Sequence, residues 1–259
     1  MNSAPDADTF PRLLAHHART RPHAVAIREK DLGIWQSWTW KQMHEEVCEI
    51  AAGLLHAGFK RGQHLSIIGE NRPRLYFTMT AVQCLGGIPV PMYQDAAAAE
   101  LTFVFSDAEI RFAVVEDQEQ VDKVLEIREK VRHLQHIFYD DGRGLRNYQQ
   151  PGLQSYEALR ASGRNLLQKQ PAAIEDEINK GRASDVAAMF YTSGTTGNAK
   201  GVVLGYDNLI AAGRAGAEME ALSSNEQVLA YLPMAWVGQN IFSYTQWLVC
   251  GFTVNCPES

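Results

Sequence analysis

The chain has 259 residues, 46% hydrophobic and 21% charged, the balance of an ordinary globular protein long enough for one large domain or two smaller ones. Lys plus Arg number 24 against 30 for Asp plus Glu, a formal charge of −6, and without a strongly basic run the composition argues against nucleic-acid binding as the main function. No apolar stretch approaches the ~20 residues of a membrane span, and MNSAPDADTF has neither the basic nor the apolar region of a signal peptide. The four cysteines, Cys48, Cys84, Cys250 and Cys256, form no C-x-x-C pair and have apolar neighbours, so buried free thiols in a reducing, cytoplasmic compartment are expected.

Helical periodicity is clearest over Trp38 to Gly58. Thr39 and Gln42 have capping-box spacing, Met43, Val47, Ile50, Ala51, Leu54 and Leu55 recur on one face, and Gly58 suits the turn that ends a helix. A strand is predicted over His64 to Gly69, a helix over Pro73 to Leu85 and a strand over Ile88 to Pro91. The alternation continues with a helix at Ala97 to Ser106, a strand at Arg111 to Val115, a helix at Gln118 to Lys130 and a strand at Leu134 to Tyr139. Asp140 to Gly152 reads as a loop, Ser155 to Leu167 as a helix, and Lys169 to Ser184 as a polar surface linker. Beyond it come strands at Val186 to Tyr191 and Val202 to Leu204, a helix at Tyr206 to Met219, a strand at Gln227 to Leu232, a helix at Val237 to Val249 and a strand at Phe252 to Asn255. Strands alternating with helices of this length imply an α/β fold of repeated β-α-β units, with largely parallel sheets and helices on both faces.

The densest chemical signal is YTSGTTGNAKG, Tyr191 to Gly201. Gly194 and Gly197 admit backbone angles barred to other residues, so successive peptide N–H groups can converge on an anion. Ser193, Thr195 and Thr196 add hydroxyls, and Lys200 adds a cation on a flexible stem. The preceding strand is expected to hold this polyphosphate cradle at a sheet's carboxyl edge. It is not a G-x-x-x-x-G-K-[ST] loop, because two residues separate Gly197 from Lys200 and Gly201 follows the lysine. Downstream, YLPMAWVGQNIFSYTQW offers an aromatic-rich segment, Tyr231 to Trp247, suited to line a cleft for a small acid or acyl chain. Ile241 and Phe242 read better as core residues of a helix packed on the sheet. His44 to Cys48 misses H-E-x-x-H because Cys48 stands where the second histidine would be, and His133 and His136 read as surface histidines, so no metal site is assigned.

YTSGTTGNAKGV resembles the signature of the adenylate-forming, AMP-binding superfamily, with Ala199 where the usual form has Pro. WTWKQMHEEV, VQCLGGIPVPMY and AYLPMAWVGQN are similar to further segments of that family, most closely in its long-chain acyl-CoA synthetase branch. The resemblance implies the large N-terminal domain of such enzymes over residues 9–259, subdivided as a first α/β part at 9–168, a linker at 169–184 and a phosphate-loop and acid-pocket part at 185–259. It implies a ligase that uses ATP, Mg²⁺ and coenzyme A to activate a fatty or aromatic carboxylic acid through its acyl-adenylate. Carried over by position, Thr192, Ser193, Gly194, Thr195, Thr196, Gly197 and Lys200 would hold the β- and γ-phosphates, with Lys200 and Thr192 in the catalytic roles. Trp236, Val237, Gly238, Asn240 and Tyr244 would line the acid pocket, with Trp236 where many relatives have His. Peripheral contact with a membrane is compatible with this branch. Relatives are about twice this length or more; their adenine and ribose segments and C-terminal lid domain do not occur in these 259 residues. The chain is therefore expected to be an incomplete, amino-terminal fragment, inactive alone, with an unpaired sheet edge after its last strand.

Overall fold

The computed structural model describes residues 7–192 and 199–258. The region before Trp38, where the sequence reading assigns no element, forms a helix α1 (Phe10–Thr20) and a hairpin of β1 (Val25–Asp31) and β2 (Ile34–Thr39). Helix α2 (Trp40–His56) follows, and its capping box is realised: Thr39 N–H donates to Gln42 Oε1 at 2.9 Å and Gln42 N–H to Thr39 Oγ1 at 3.3 Å. Gly58, at φ +90, turns the chain out of the helix in a conformation that favours glycine.

A β-α-β succession then builds β3 (His64–Ile68), α3 (Pro73–Cys84), β4 (Ile88–Met92), α4 (Ala98–Asp107), β5 (Phe112–Val115), α5 (Gln118–Ile127) and β6 (His136–Tyr139). The short β7 (Leu153–Ser155), absent from the sequence reading, completes a five-stranded sheet in the order β4-β3-β5-β6-β7, parallel throughout. Helix α6 (Tyr156–Lys169) is capped by Ser155, whose hydroxyl accepts from Ala158 N–H at 3.1 Å. The segment expected to be a linker instead contains α7 (Ala173–Asn179), which packs on α2 and α3. Ile174 and Ile178, one helical turn apart, give that polar stretch an apolar stripe, and Ile174 is buried in the core.

β8 (Val186–Thr192) and β9 (Lys200–Gly205) form a hairpin, followed by α8 (Tyr206–Met219) and β10 (Gln227–Leu229). A continuous helical stretch comprises α9 (Val237–Gln239), a π-helical segment (Asn240–Thr245) and α10 (Gln246–Cys250), and β11 (Thr253–Cys256) ends the described elements. The second sheet has the order β10-β11-β1-β2, with β11 parallel to both neighbours and β1–β2 antiparallel. The last strand is internal, and the edges of this sheet are β10, where Leu229 is exposed, and β2. One apolar cluster runs from Ala7 to Cys256 and a second from Ile68 to Tyr191, and both cross the proposed subdivision of the chain. All four cysteines are free thiols, Cys84 and Cys256 buried and Cys48 and Cys250 half-buried. His133 is exposed, whereas His136 is half-buried and its ring stacks on Phe112 at 4.8 Å.

Helix α3 touches strands of both sheets, and all its residues except Arg74 are buried. Its neighbours α2 and α6 approach closely enough that glycine is obligatory at their crossing. A Cβ on Gly163 would stand 1.8 Å from the Glu49 carbonyl oxygen, and one on Gly53 2.3 Å from the Leu159 carbonyl oxygen. Carboxylates and guanidinium groups border this junction: Arg160 pairs with Glu46 at 3.3 Å and Glu49 at 2.8 Å, and Arg74 with Glu46 at 3.3 Å and Asp140 at 2.9 Å.

Two outcomes follow from this packing. Gly163→Ala is expected to destabilise the fold by roughly 1–3 kcal/mol through overpacking, while Gly142→Ala, whose added carbon would meet nothing closer than 3.4 Å, stays near neutral in urea unfolding. The second concerns Glu29. Burial pushes its carboxyl up to about 7, overriding Arg72, which lies 3.8 Å away but spends its closest contact, 2.7 Å, on Glu116. Between the ordinary value of 4.5 and about 7 the unfolded chain loses this proton while the folded chain keeps it, so the stabilisation is present at low pH and lost as pH rises through that window. Glu29→Gln should flatten the slope by on the order of 1–3 kcal/mol, measured as unfolding free energies at pH 5 and pH 8; an unchanged slope would place the titration elsewhere.

Candidate functional site

Thr192 and Lys200, the described residues flanking the glycine-rich loop, are the last register partners of the β8–β9 ladder before the loop, and both are exposed. Ser193, Gly194, Thr195, Thr196 and Gly197 lie outside the described residues. The loop follows the carboxyl end of β8, which lies alongside β4, and β8 and β9 run antiparallel. The reason is length. Seven residues separate Thr192 from Lys200, enough to close a hairpin, whereas a parallel return needs a crossover of about a dozen or more.

The stem of this hairpin is held from the side. Tyr191 is buried, its hydroxyl donates to Asp107 Oδ2 at 2.5 Å, and Phe103 packs edge-on against its ring at 6.4 Å. Burial and the neighbouring carboxylate both push the Tyr191 hydroxyl upward, so it remains a donor at any working pH. Gly201 faces Tyr191 across the ladder, and a Cβ there would crowd the tyrosine ring at 3.2 Å. The tyrosine and glycine bracketing the loop thus fit each other, while Thr192 and Lys200 project beyond them.

The segment expected to line an acid pocket divides in two. Trp236 is 41% exposed, and its ring covers Gly238, where a Cβ would come within 2.2 Å of ring carbons. Val237 is half-buried beside it. Asn240 is buried and ties the turn together, its Nδ2 donating to the Met234 carbonyl at 2.6 Å and to the Trp236 carbonyl at 3.2 Å. Tyr244 lies in the core, stacked on Tyr76 at 6.1 Å and edge-on to Phe10 at 5.0 Å. Its oxygen is 2.8 Å from Thr80 Oγ1 and donates to Gln83 Oε1 at 2.7 Å. Phe242, read as a core residue, is 44% exposed instead. The π-helical segment adds a residue to the turn and shifts the helix face, which puts Tyr244 and Trp247 inward and Phe242 outward.

Sequence reasoning missed the polar residues that connect these parts. Gln83 Nε2 donates to the Ala187 carbonyl of β8 at 2.8 Å, so the Tyr244–Gln83 pair joins the pocket helix to the strand that carries Thr192. A second set joins Gln239 Nε2 to the Tyr76 hydroxyl at 2.8 Å and to Asn71 Oδ1 at 3.1 Å, with Asn71 Nδ2 donating to the Leu232 carbonyl at 2.9 Å. The available signal was the recurrence of Thr78, Thr80 and Gln83 inside an otherwise apolar helix. Tyr244→Phe would leave Gln83 Oε1 buried without its donor and is expected to cost roughly 1–3 kcal/mol of stability. A tyrosine facing an open cleft would show no such loss in urea unfolding.

The family model described as AMP-binding enzyme matches residues 14–259. Among curated proteins the chain is 29% identical over 219 residues to the long-chain-fatty-acid–CoA ligase ACSBG2 of Xenopus laevis, covering 82% of this chain and 29% of that protein. It is 28% identical over 222 residues to ACSBG1 of Bos taurus, a long-chain-fatty-acid–CoA ligase, covering 84% of this chain and 30% of the relative. The chain thus spans less than a third of the length of these relatives. Its fold is like that of the N-terminal domain of FACL13 from Mycobacterium tuberculosis, with a TM-score of 0.75 and 20% identity over 96% of this chain and 56% of that one. It is also like acetoacetyl-CoA synthetase from Streptomyces lividans, with a TM-score of 0.79 and 18% identity over 96% of this chain and 38% of the other. A match of this extent, on a fold that sets Thr192 and Lys200 at the end of one hairpin, means that the chain belongs to the AMP-binding enzyme family.

Proposed function

We propose that these residues form the nucleotide-cradling part of an ATP-dependent carboxylic acid–CoA ligase, acting on a fatty or aromatic acid. The observation that carries the reading is the register of Thr192 opposite Lys200, with SGTTGNA between them in the sequence. In the proposed reaction a carboxylate oxygen attacks the α-phosphorus of ATP, the bond to the bridging oxygen breaks, and pyrophosphate leaves. The thiol of coenzyme A then loses its proton to solvent and attacks the acyl carbonyl, and AMP departs with the electron pair of the acyl–oxygen bond. Lys200 would neutralise charge on the β- and γ-phosphates as they become the leaving group, and Thr192 would donate its hydroxyl beside them, with Ser193, Gly194, Thr195, Thr196 and Gly197 completing the cradle. Trp236, Val237, Gly238 and Asn240 would shape the acid's end of the site, with Tyr244 behind them.

Among the described residues no three His, Cys, Asp or Glu side chains converge to hold a metal ion. The donors here, hydroxyls and one ammonium, suit phosphate oxygens, so Mg²⁺ would enter on the triphosphate and use its oxygens as principal ligands. Its contribution would be further charge neutralisation at the leaving group.

A second reading is a non-catalytic nucleotide- or partner-binding fragment. A third keeps the adenylate chemistry with another acceptor than coenzyme A. ATP–pyrophosphate exchange separates them. In a protein carrying these residues together with the remainder of the domain, Lys200→Ala should slow acid-dependent exchange by about 10²–10³-fold, the scale of a lost transition-state charge contact. Residues 1–259 alone are expected to release no acyl-CoA. Unchanged exchange in the variant would remove Lys200 from the chemistry, and turnover by 1–259 would overturn the expectation of an inactive fragment.

A further inference from the structure

The β1–β2 hairpin carries residues at its tip that its turn type disfavours. Leu32 (φ 49) and Gly33 (φ 78) are the central residues of a two-residue turn closed by the register pair Asp31 and Ile34. Positive φ at both positions is the type I′ form, where Asn-Gly or Asp-Gly is the physical default and a bulky side chain at the first position is strained. A leucine held there is expected to gain something from packing, yet Leu32 is 76% exposed. Ile34 is 64% and Trp35 47% exposed beside it. As consecutive residues of a strand they point to opposite faces, so the tip is apolar on both sides. Farther along the same strand the exposure ends: Trp38 packs edge-on against Phe77 at 6.0 Å.

We propose that Leu32, Ile34 and Trp35 form an interfacial anchor that dips into a lipid surface. Three features favour lipid over a protein partner. Apolar groups on both faces of a projecting tip suit immersion, whereas a protein groove covers one face. Three side chains offer on the order of a few hundred Å², short of the ~800 Å² per partner of a stable protein interface. Tryptophan at the edge of the cluster joins an apolar body to a polar N–H, which suits the headgroup boundary. The surrounding charges define the lipid. Lys30 and Arg143 lie near Asp31, Asp141 and Glu258; Glu258 Oε2 accepts from Gly33 N–H at 3.0 Å, and Arg143 pairs with Asp141 at 2.5 Å. The three carboxylates outnumber the two cations, so anionic headgroups should add nothing to binding.

The test is co-sedimentation of the 259-residue chain with phosphatidylcholine vesicles, alongside Leu32→Asn, Ile34→Thr and Trp35→Thr, singly and combined. These positions are exposed and the replacements suit a type I′ turn or a strand, so the fold is expected to survive; circular dichroism and the urea midpoint check it. The anchor predicts reversible binding of the wild type, weakened about tenfold or more in the triple variant. It also predicts quenching of tryptophan fluorescence by brominated lipid that disappears in Trp35→Thr, and no gain on adding phosphatidylglycerol. Absence of wild-type binding, or equal binding by the triple variant, overturns the proposal. So does concentration-dependent self-association that the triple variant abolishes while vesicles bind neither form, because the tip would then serve a second copy.

Discussion

A helix buried on every side can keep polar side chains only if it meets their hydrogen bonds from within the protein, and α3 is built under that constraint. It lies between two sheets with Tyr76, Thr78, Thr80 and Gln83 all buried. Thr78 and Thr80 return their hydroxyls to carbonyls one turn back, at 2.8 and 3.3 Å. Tyr76 and Gln83 reach outward, the first to Asn71 and Gln239 and the second to Tyr244 and Ala187. An unpaired polar group in such surroundings costs more than a typical hydrogen bond contributes, so these contacts set positions more strongly than an apolar seam of equal area would. The helix that follows Trp236 and the strand that leads to Thr192 are thereby referenced to one element.

The sheets add a constraint of a different kind. β1 pairs with β11 across more than two hundred residues of sequence, and β11 in turn holds β10. Arg72, at the start of α3, donates to the Pro257 carbonyl at 3.0 Å and pairs with Glu116 at 2.7 Å, fastening the end of β11 to the five-stranded sheet. Ahead of β11, at the C-terminal end of α10, Arg21 donates to the Gly251 carbonyl, and His17 Nε2 contacts the Leu248 carbonyl at 2.7 Å. Burial lowers His17 to about 4, so that ring is neutral at physiological pH and donates from Nε2, a state suited to a carbonyl acceptor.

Most of the central architecture was legible in the sequence because it rests on local rules. The capping pair Thr39 and Gln42, the glycine at 58, the proline opening α3 and the short runs HLSII and FAVV each state a boundary or a period within a few residues. What escaped depended on distant partners. The β1–β2 hairpin has its core face defined by α3 and β11, and β7 is only three residues long, so neither shows a period of its own. The linker reading of 169–184 failed because two isoleucines outweigh a run of charges once α2 and α3 are there to receive them.

The candidate site was legible in composition and illegible in geometry for a related reason. A glycine- and threonine-rich run with a lysine announces phosphate chemistry by residue type, but whether its flanking strands run parallel or antiparallel depends on the length between Thr192 and Lys200. The aromatic segment after Leu232 announced an apolar lining, but a π-helical turn rotates the side chains beyond it by a fraction of a turn. Within that segment Tyr244 is buried in the core and Phe242 is exposed, while Trp236, ahead of it, lies over Gly238 at the surface. Straight α-helical periodicity cannot anticipate this placement, since the extra residue leaves no mark in the spacing of apolar groups. The mark lies in the packing surface of α8. A Cβ on Gly213 would strike Thr245 at 2.4 Å and one on Gly216 would strike Gln246 at 2.6 Å, so the absence of side chains on one helix makes room for the widened turn on the other.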